Sequence, residues 1–108
     1  MKSLIILIFT ILAASFGMAG EIYGTIVDAD KPVPSGVKIE ITTGEKNYSG
    51  ETDKLGSYHV FVADRGKCRL TLHFKNQKPA ADIFSYDRAT RYDWNVETVD
   101  GKLTLKRK

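Results

Sequence analysis

An all-β sandwich is the fold class this sequence predicts, on three observations. Short runs of alternating apolar and polar residues recur at intervals of roughly ten residues, bounded by Gly, Pro, Asn and Asp. Beyond the first nineteen residues, no stretch carries the 3.6-residue period of an amphipathic helix. The stretch Thr52-Asp53-Lys54-Leu55-Gly56-Ser57-Tyr58-His59-Val60-Phe61-Val62 reads as a strand end, a tight turn and a new strand. Asp53 is placed to accept hydrogen bonds from backbone N–H groups two or three residues on. Gly56 supplies a position with φ > 0, where a Cβ clashes. Tyr58, Val60 and Val62 then alternate with His59 and Phe61, as in a strand with two distinct faces. This turn joins two sheets or two edges, so the layers depend on its geometry.

The chain opens with a different signal. Lys2 is a short positive region, Leu4 to Ala14 is apolar except for Thr10, and Gly17-Met18-Ala19 places small residues at −3 and −1 of a cleavage site. The apolar run makes roughly 16 Å of helix, too short for a hydrocarbon core of about 30 Å. Residues 1–19 therefore read as a cleaved secretory signal rather than an anchor. No Cys sits at the cleavage point to take a lipid. The mature chain, residues 20–108, is one domain with no transmembrane segment, exported to the periplasm or secreted. Cleavage removes only Lys2 among the charged residues, so the formal charge falls from +3 to +2. Such a balance gives no argument for a nucleic-acid partner. Cys68 is the one cysteine, so no intrachain disulfide forms and the apolar core alone must hold the domain.

In chain order, Ile22, Gly24 and Ile26 share one face of a first strand, with Tyr23, Thr25 and Val27 on the other. Asp28 to Gly36 is rich in Pro and turn residues and reads as a loop. Val37, Ile39 and Ile41 alternate with Lys38, Glu40 and Thr42 in the clearest half-buried strand. Thr43-Gly44-Glu45 turns into a polar strand near Asn47 to Thr52, with Tyr48 its main apolar residue. After Asp64-Arg65-Gly66, Cys68, Leu70, Leu72 and Phe74 alternate with Arg69, Thr71 and His73. Asn76 to Pro79 is a loop, and Ala80 to Tyr86 a less regular strand in which Ile83 and Phe84 are adjacent. Arg91 to Glu97 reads as one strand, with Tyr92, Trp94 and Val96 opposite Asp93 and Asn95. Asp100-Gly101 turns into a last strand, Lys102 to Lys106, with Leu103 and Leu105 inward.

Several of these segments carry a resemblance. Ile22-x-Gly24-x-Ile26-x-Asp28, Pro34-x-Gly36-Val37-x-Ile39 and Thr52-Asp53-x-x-Gly56-x-Tyr58, followed by a strand opened by Gly66, resemble the carboxypeptidase regulatory-like domain. The ending Arg91-Tyr92-Asp93-Trp94 to Asp100-Gly101-Lys102-Leu103 is similar to small exported members of that group. The resemblance spans the mature chain and implies a transthyretin-like (prealbumin-like) sandwich of seven to eight strands. It also implies that the strands flanking Asp64-Arg65-Gly66 lie in opposite sheets. Local spacing alone suggests a three-residue hairpin there. Turn and core patterns of this kind say little about function.

The chemistry-bearing residues are few. In a hairpin His59 and His73 would be diagonal neighbours about 7–8 Å apart, and Glu40 or Asp53 would suggest a metal. In the sandwich they fall on different sheets and read as exposed surface histidines, short of the three or four ligands that zinc needs. Cys68 shares the core face of its strand and reads as an inert buried thiol rather than a nucleophile. Asp28 and Asp30, with Asp53 or Asp100, lack the dense acidic loop that Ca²⁺ wants. One enzyme of transthyretin-like fold, the hydrolase of 5-hydroxyisourate, ends in Tyr-Arg-Gly-Ser, whereas this chain ends Leu105-Lys106-Arg107-Lys108. Tyr23, Tyr48, Phe61 and Tyr86 are the outward aromatics, spread over different strands with no evident sugar-stacking platform.

The expectation is a non-catalytic exported module without a cofactor. It would serve a protein-interaction or structural role in the cell envelope, or else bind carbohydrate or an anionic envelope component. Asp53, Gly56 and Tyr58 form its structural turn. Lys102, Lys106 and Lys108 line the outer face of the last strand, with Arg107 adjoining. They are candidates for contact with an anionic surface, although lysines on an edge strand also block edge-to-edge pairing.

Overall fold

A computed structural model describes residues 20–108; the expected signal, residues 1–19, lies outside the described residues. Among the described residues there are ten strands and no helix: β1 (Glu21–Asp28), β2 (Lys31–Pro32), β3 (Lys38–Thr42), β4 (Asn47–Glu51), β5 (Ser57–Phe61), β6 (Gly66–His73), β7 (Ala80–Ser85), β8 (Thr90–Arg91), β9 (Trp94–Val99) and β10 (Lys102–Arg107). They form two sheets. In the first, β1 pairs with β5 and then β2 along one side, and with β8 and then β9 along the other, with β10 beyond β9. The second runs β4-β3-β6-β7. Strands β8 and β9 run parallel to β1, and every other pairing is antiparallel.

The alternation read from the sequence decides which side chains face inward. Ile22, Ile26, Tyr58, Val60, Trp94 and Val96 from the first sheet meet Ile39, Ile41, Cys68, Leu70, Leu72 and Ile83 from the second in one buried cluster. Ile39, Ile41, Leu70 and Leu72 have no solvent exposure. Each such side chain contributes about 1.5–3 kcal/mol, the stabilisation a domain without a disulfide depends on. The segment Asp64-Arg65 crosses from β5 in one sheet to β6 in the other, so the hairpin suggested by local spacing does not form.

The turn before β5 has the geometry its residues dictate. Asp53 Oδ1 accepts from the N–H groups of Leu55 (2.9 Å) and Ser57 (3.0 Å), two and four residues on. Gly56 sits at φ 75°, and its carbonyl accepts from Ile26 N, docking the turn on β1. The turn carries the chain from β4 in the second sheet to β5 in the first.

Three local expectations are corrected. Within the loop from Asp28 to Gly36, Lys31–Pro32 folds back onto the end of β1 as a short ladder. Arg91 to Glu97 is not one strand, because Tyr92 and Asp93 interrupt it between β8 and β9. The interruption is possible because Gly24 lies beneath it, where a Cβ would overlap the Tyr92 carbonyl oxygen. Asp93 then takes over a carbonyl's part in the ladder, accepting from Thr25 N (2.8 Å) and from the Thr25 hydroxyl (3.2 Å). Finally, His73 is not a free surface histidine: it is half-buried, with Nε2 3.0 Å from Glu40 Oε1 across the β3–β6 pair. His59 is exposed and lies on the other sheet, as expected.

Candidate functional site

Two tyrosines and a glutamine position the surfaces of interest. Tyr58, on the core face of β5, donates its hydroxyl to the Tyr92 carbonyl (2.7 Å) and accepts from Trp94 Nε1 (3.1 Å). Burial, only partly opposed by the Trp94 bond, holds that hydroxyl's pKa well above the usual tyrosine value. Tyr92 reaches from the first sheet to the second. Its hydroxyl accepts from Phe84 N (3.0 Å) and donates to Phe84 O (3.1 Å), satisfying both backbone groups that this residue turns away from β6. Gln77, in the turn before β7, does the same for β10: its amide donates to Gly101 O (3.1 Å) and accepts from Leu103 N (2.9 Å).

Between these two side-chain bridges β7 and β10 approach each other without forming a ladder. Strands β7 and β10 each end their sheet. In an antiparallel ladder alternate residues turn their N–H and C=O away from the partner strand. The Gln77 bond to Leu103 N shows that Leu103, Leu105 and Arg107 are those residues on β10. The Tyr92 bonds to Phe84 place Ala80 and Asp82 in the same position on β7. The groove beside them, about 360 Å³, has Leu103, Leu105, Pro79 and Ala80 as apolar lining and Arg69, Lys78 and Lys102 as basic lining. It offers unpaired main-chain groups, apolar contact and positive charge in one place.

The residues singled out from sequence divide between scaffold and surface. Asp53, Gly56 and Tyr58 hold the turn and the core. Lys102 and Lys106 are exposed on the outer face of β10 with Thr104, and Lys108 follows the strand. Arg107 does not join them. It is the cross-strand partner of buried Trp94 and so lies on the opposite face, where its guanidinium stacks over Tyr92 (4.6 Å). Cys68 is buried, donates its thiol to Gly66 O (3.4 Å), and has its pKa pushed up by burial. Asp28 pairs with Lys75 (3.1 Å). No group of three or more His, Cys, Asp or Glu is arranged to hold a metal among the described residues, and no helix there is long and apolar enough to cross a membrane.

The outward aromatics are less scattered than the sequence suggests. Phe84, not counted among them, is exposed and stacks with Tyr86 (centroids 6.0 Å apart), with the Arg88 guanidinium over Tyr86 (5.3 Å). On the first sheet the pairing register sets Tyr23 opposite His59 on β5 and Arg91 on β8, with Phe61 one diagonal step away. Register is a long-range property, so the local alternation that marks each residue as outward does not reveal its neighbours. Tyr48 stands apart on β4 and donates its hydroxyl to Asp64 (3.1 Å). No family model matches the chain, and no curated protein matches it as a relative.

Proposed function

We propose that this protein is an exported, non-catalytic sandwich module of the carboxypeptidase regulatory-like, transthyretin-like type that binds another protein of the cell envelope. The observation that carries the reading is the seam between β7 and β10. Two strands that each end their sheet, and that approach one another, flank a groove that combines apolar residues with Arg69, Lys78 and Lys102. An extended segment laid along β10 would pair with the outward N–H and C=O groups of Leu105 and Arg107, while acidic side chains on it would meet the lysines. The crossing of Asp64-Arg65 between sheets and the eight strands of five or more residues support the transthyretin-like assignment. In this reading Tyr58, Tyr92 and Gln77 maintain the scaffold and take no part in chemistry, and no cofactor is invoked.

A photo-crosslinking residue in place of Thr104, in the full chain expressed in its native cells, tests the proposal. The expected result is an adduct with one or a few envelope proteins, lost when Lys102 and Lys106 are changed to Glu. The same residue placed at Lys46, at the far end of the second sheet, should give none. The alternative partner is an anionic envelope component such as a phosphate-bearing lipid headgroup. Sedimentation with anionic and neutral vesicles at two salt concentrations separates the cases. Retention on anionic vesicles alone that weakens with salt, without a protein adduct, would replace the protein partner with a lipid one.

A further inference from the structure

A second surface lies on the other side of the first sheet, away from the seam. Its residues come from three segments distant in sequence and meet through the pairing register. Glu21 stands opposite Phe61, Tyr23 between His59 and Arg91, and Thr25 opposite Ser57. All of these but Phe61 border an open groove of about 290 Å³, which Gly24 also lines.

The charges on this surface are balanced within it. Arg91 Nε donates to both carboxylate oxygens of Asp93 (3.1 and 2.9 Å), and Asp93 is itself held by Thr25. The Arg91 guanidinium is therefore fixed in orientation, and its terminal N–H groups remain as donors. Glu21 Oε2 lies 3.8 Å from His59 Nδ1. The Arg91 guanidinium and the Asp93 carboxylate neutralise each other, so an anion gains little from Arg91 and a cation little from Asp93. What the groove offers is hydrogen bonding of both kinds and an aromatic surface. Arg91 donates, Glu21 and the Thr25 hydroxyl accept, and Ser57 and His59 do either. The Tyr23 ring is held beneath the Arg91 guanidinium (5.8 Å), and exposed Phe61 extends the apolar surface diagonally.

A ligand that matches this set is uncharged, carries hydroxyls that each donate and accept, and has an apolar face. We infer that the groove binds a neutral oligosaccharide, one pyranose ring against Tyr23 with its hydroxyls bridging Arg91 and the Glu21–His59 pair. A groove near the small end of ligand-site volumes holds one or two sugar units, and its openness to solvent makes binding weak. The site is separate from the β7–β10 seam and does not depend on the reading given for that seam.

Amide chemical-shift mapping on the isotopically labelled protein tests the inference with four probes. Three are neutral tetrasaccharides: β-1,4-linked glucose, α-1,4-linked glucose and β-1,4-linked N-acetylglucosamine. The fourth is the acidic tetramer of galacturonate. At least one neutral probe should give saturable shifts at Tyr23, Thr25, Ser57 and His59, with Kd on the order of 1 mM, and galacturonate should bind no more tightly. Tyr23→Ala should weaken binding about tenfold. Tyr48→Ala, on the other sheet, should leave it unchanged. Shift mapping on the unsubstituted protein stands by itself if Tyr23→Ala fails to fold. Absence of saturable shifts with all three neutral probes up to about 10 mM overturns the inference. Shifts confined to β10, or tighter binding of galacturonate, overturn it equally.

Discussion

Replacing Tyr58 by Phe removes a single oxygen from the core and orphans two groups. Trp94 Nε1 loses its acceptor and the Tyr92 carbonyl loses its donor, both where water is excluded. An unsatisfied buried polar group costs about 1–3 kcal/mol, so the pair should cost about 2–6 kcal/mol. For a domain of this size, 1 kcal/mol moves the melting temperature by about 4–8 °C, which gives a fall of at least about 8 °C. Thermal melting followed by far-ultraviolet circular dichroism measures it without relying on Trp94 emission, which the substitution itself perturbs. Changing Trp94 to Phe in the Tyr58→Phe background removes the orphaned donor, so the two losses should combine to less than their sum. The same hydroxyl makes an alkaline prediction. Its pKa in the folded protein is raised by burial, so its stabilising contribution is fully present below the unfolded value of about 10 and is lost as pH rises toward the folded one. A melting temperature within about 2 °C of the parent protein for Tyr58→Phe would refute this account of the core.

The remaining predictions concern turns, acid and the thiol. Gly56→Val, at φ 75° with the new Cβ 2.7 Å from the Ile26 carbonyl oxygen, should cost about 1–3 kcal/mol or more in urea denaturation. Gly24→Ala should cost at least as much, because the obstacle is the Tyr92 backbone; an unchanged midpoint would mean that Tyr92 and Asp93 do not cross there. Part burial raises the Asp93 carboxyl's pKa, but the bonds from Arg91 and Thr25 outweigh it and leave the pKa below the ordinary value. Its contribution is therefore present above the unfolded pKa of about 3.9 and lost as pH falls through the folded one. Acid melting curves of Asp93→Asn should converge with those of the parent at low pH; a gap that persists would point to another cause. Cys68 should label slowly with a thiol reagent in the native state and rapidly in urea, whereas fast native labelling would mean an accessible thiol.

What the sequence revealed was local. Strict alternation assigns the inward face of β1, β3, β5 and β6, because a period of two is a property of neighbouring residues. Asp53 and Gly56 mark their turn for the same reason. The break at Tyr92 and Asp93 was hidden, since it depends on a missing Cβ at Gly24, far away in the chain. Alternation also carries the face assignment through that break unaltered, so Tyr92, Trp94 and Val96 are all buried as expected. Arg107 was grouped with its lysine neighbours because adjacency suggests a patch, yet one step along a strand reverses the face. Neither candidate surface could be read from sequence. The seam needs the sheet order, and the Tyr23 groove needs the registers of β5 and β8 against β1.

Amide hydrogen exchange along β10 tests the proposed role of the seam most directly. In the free protein the N–H groups of Leu105 and Arg107 should exchange rapidly. Those of Lys102, Thr104 and Lys106, which face β9, should exchange slowly. Addition of a decapeptide of alternating Glu and Val, extended and acidic along one face, should slow Leu105 and Arg107 selectively, and the effect should diminish as salt rises. Slow exchange of Leu105 and Arg107 in the free protein, or no change when the peptide is in excess, would contradict strand addition at this edge.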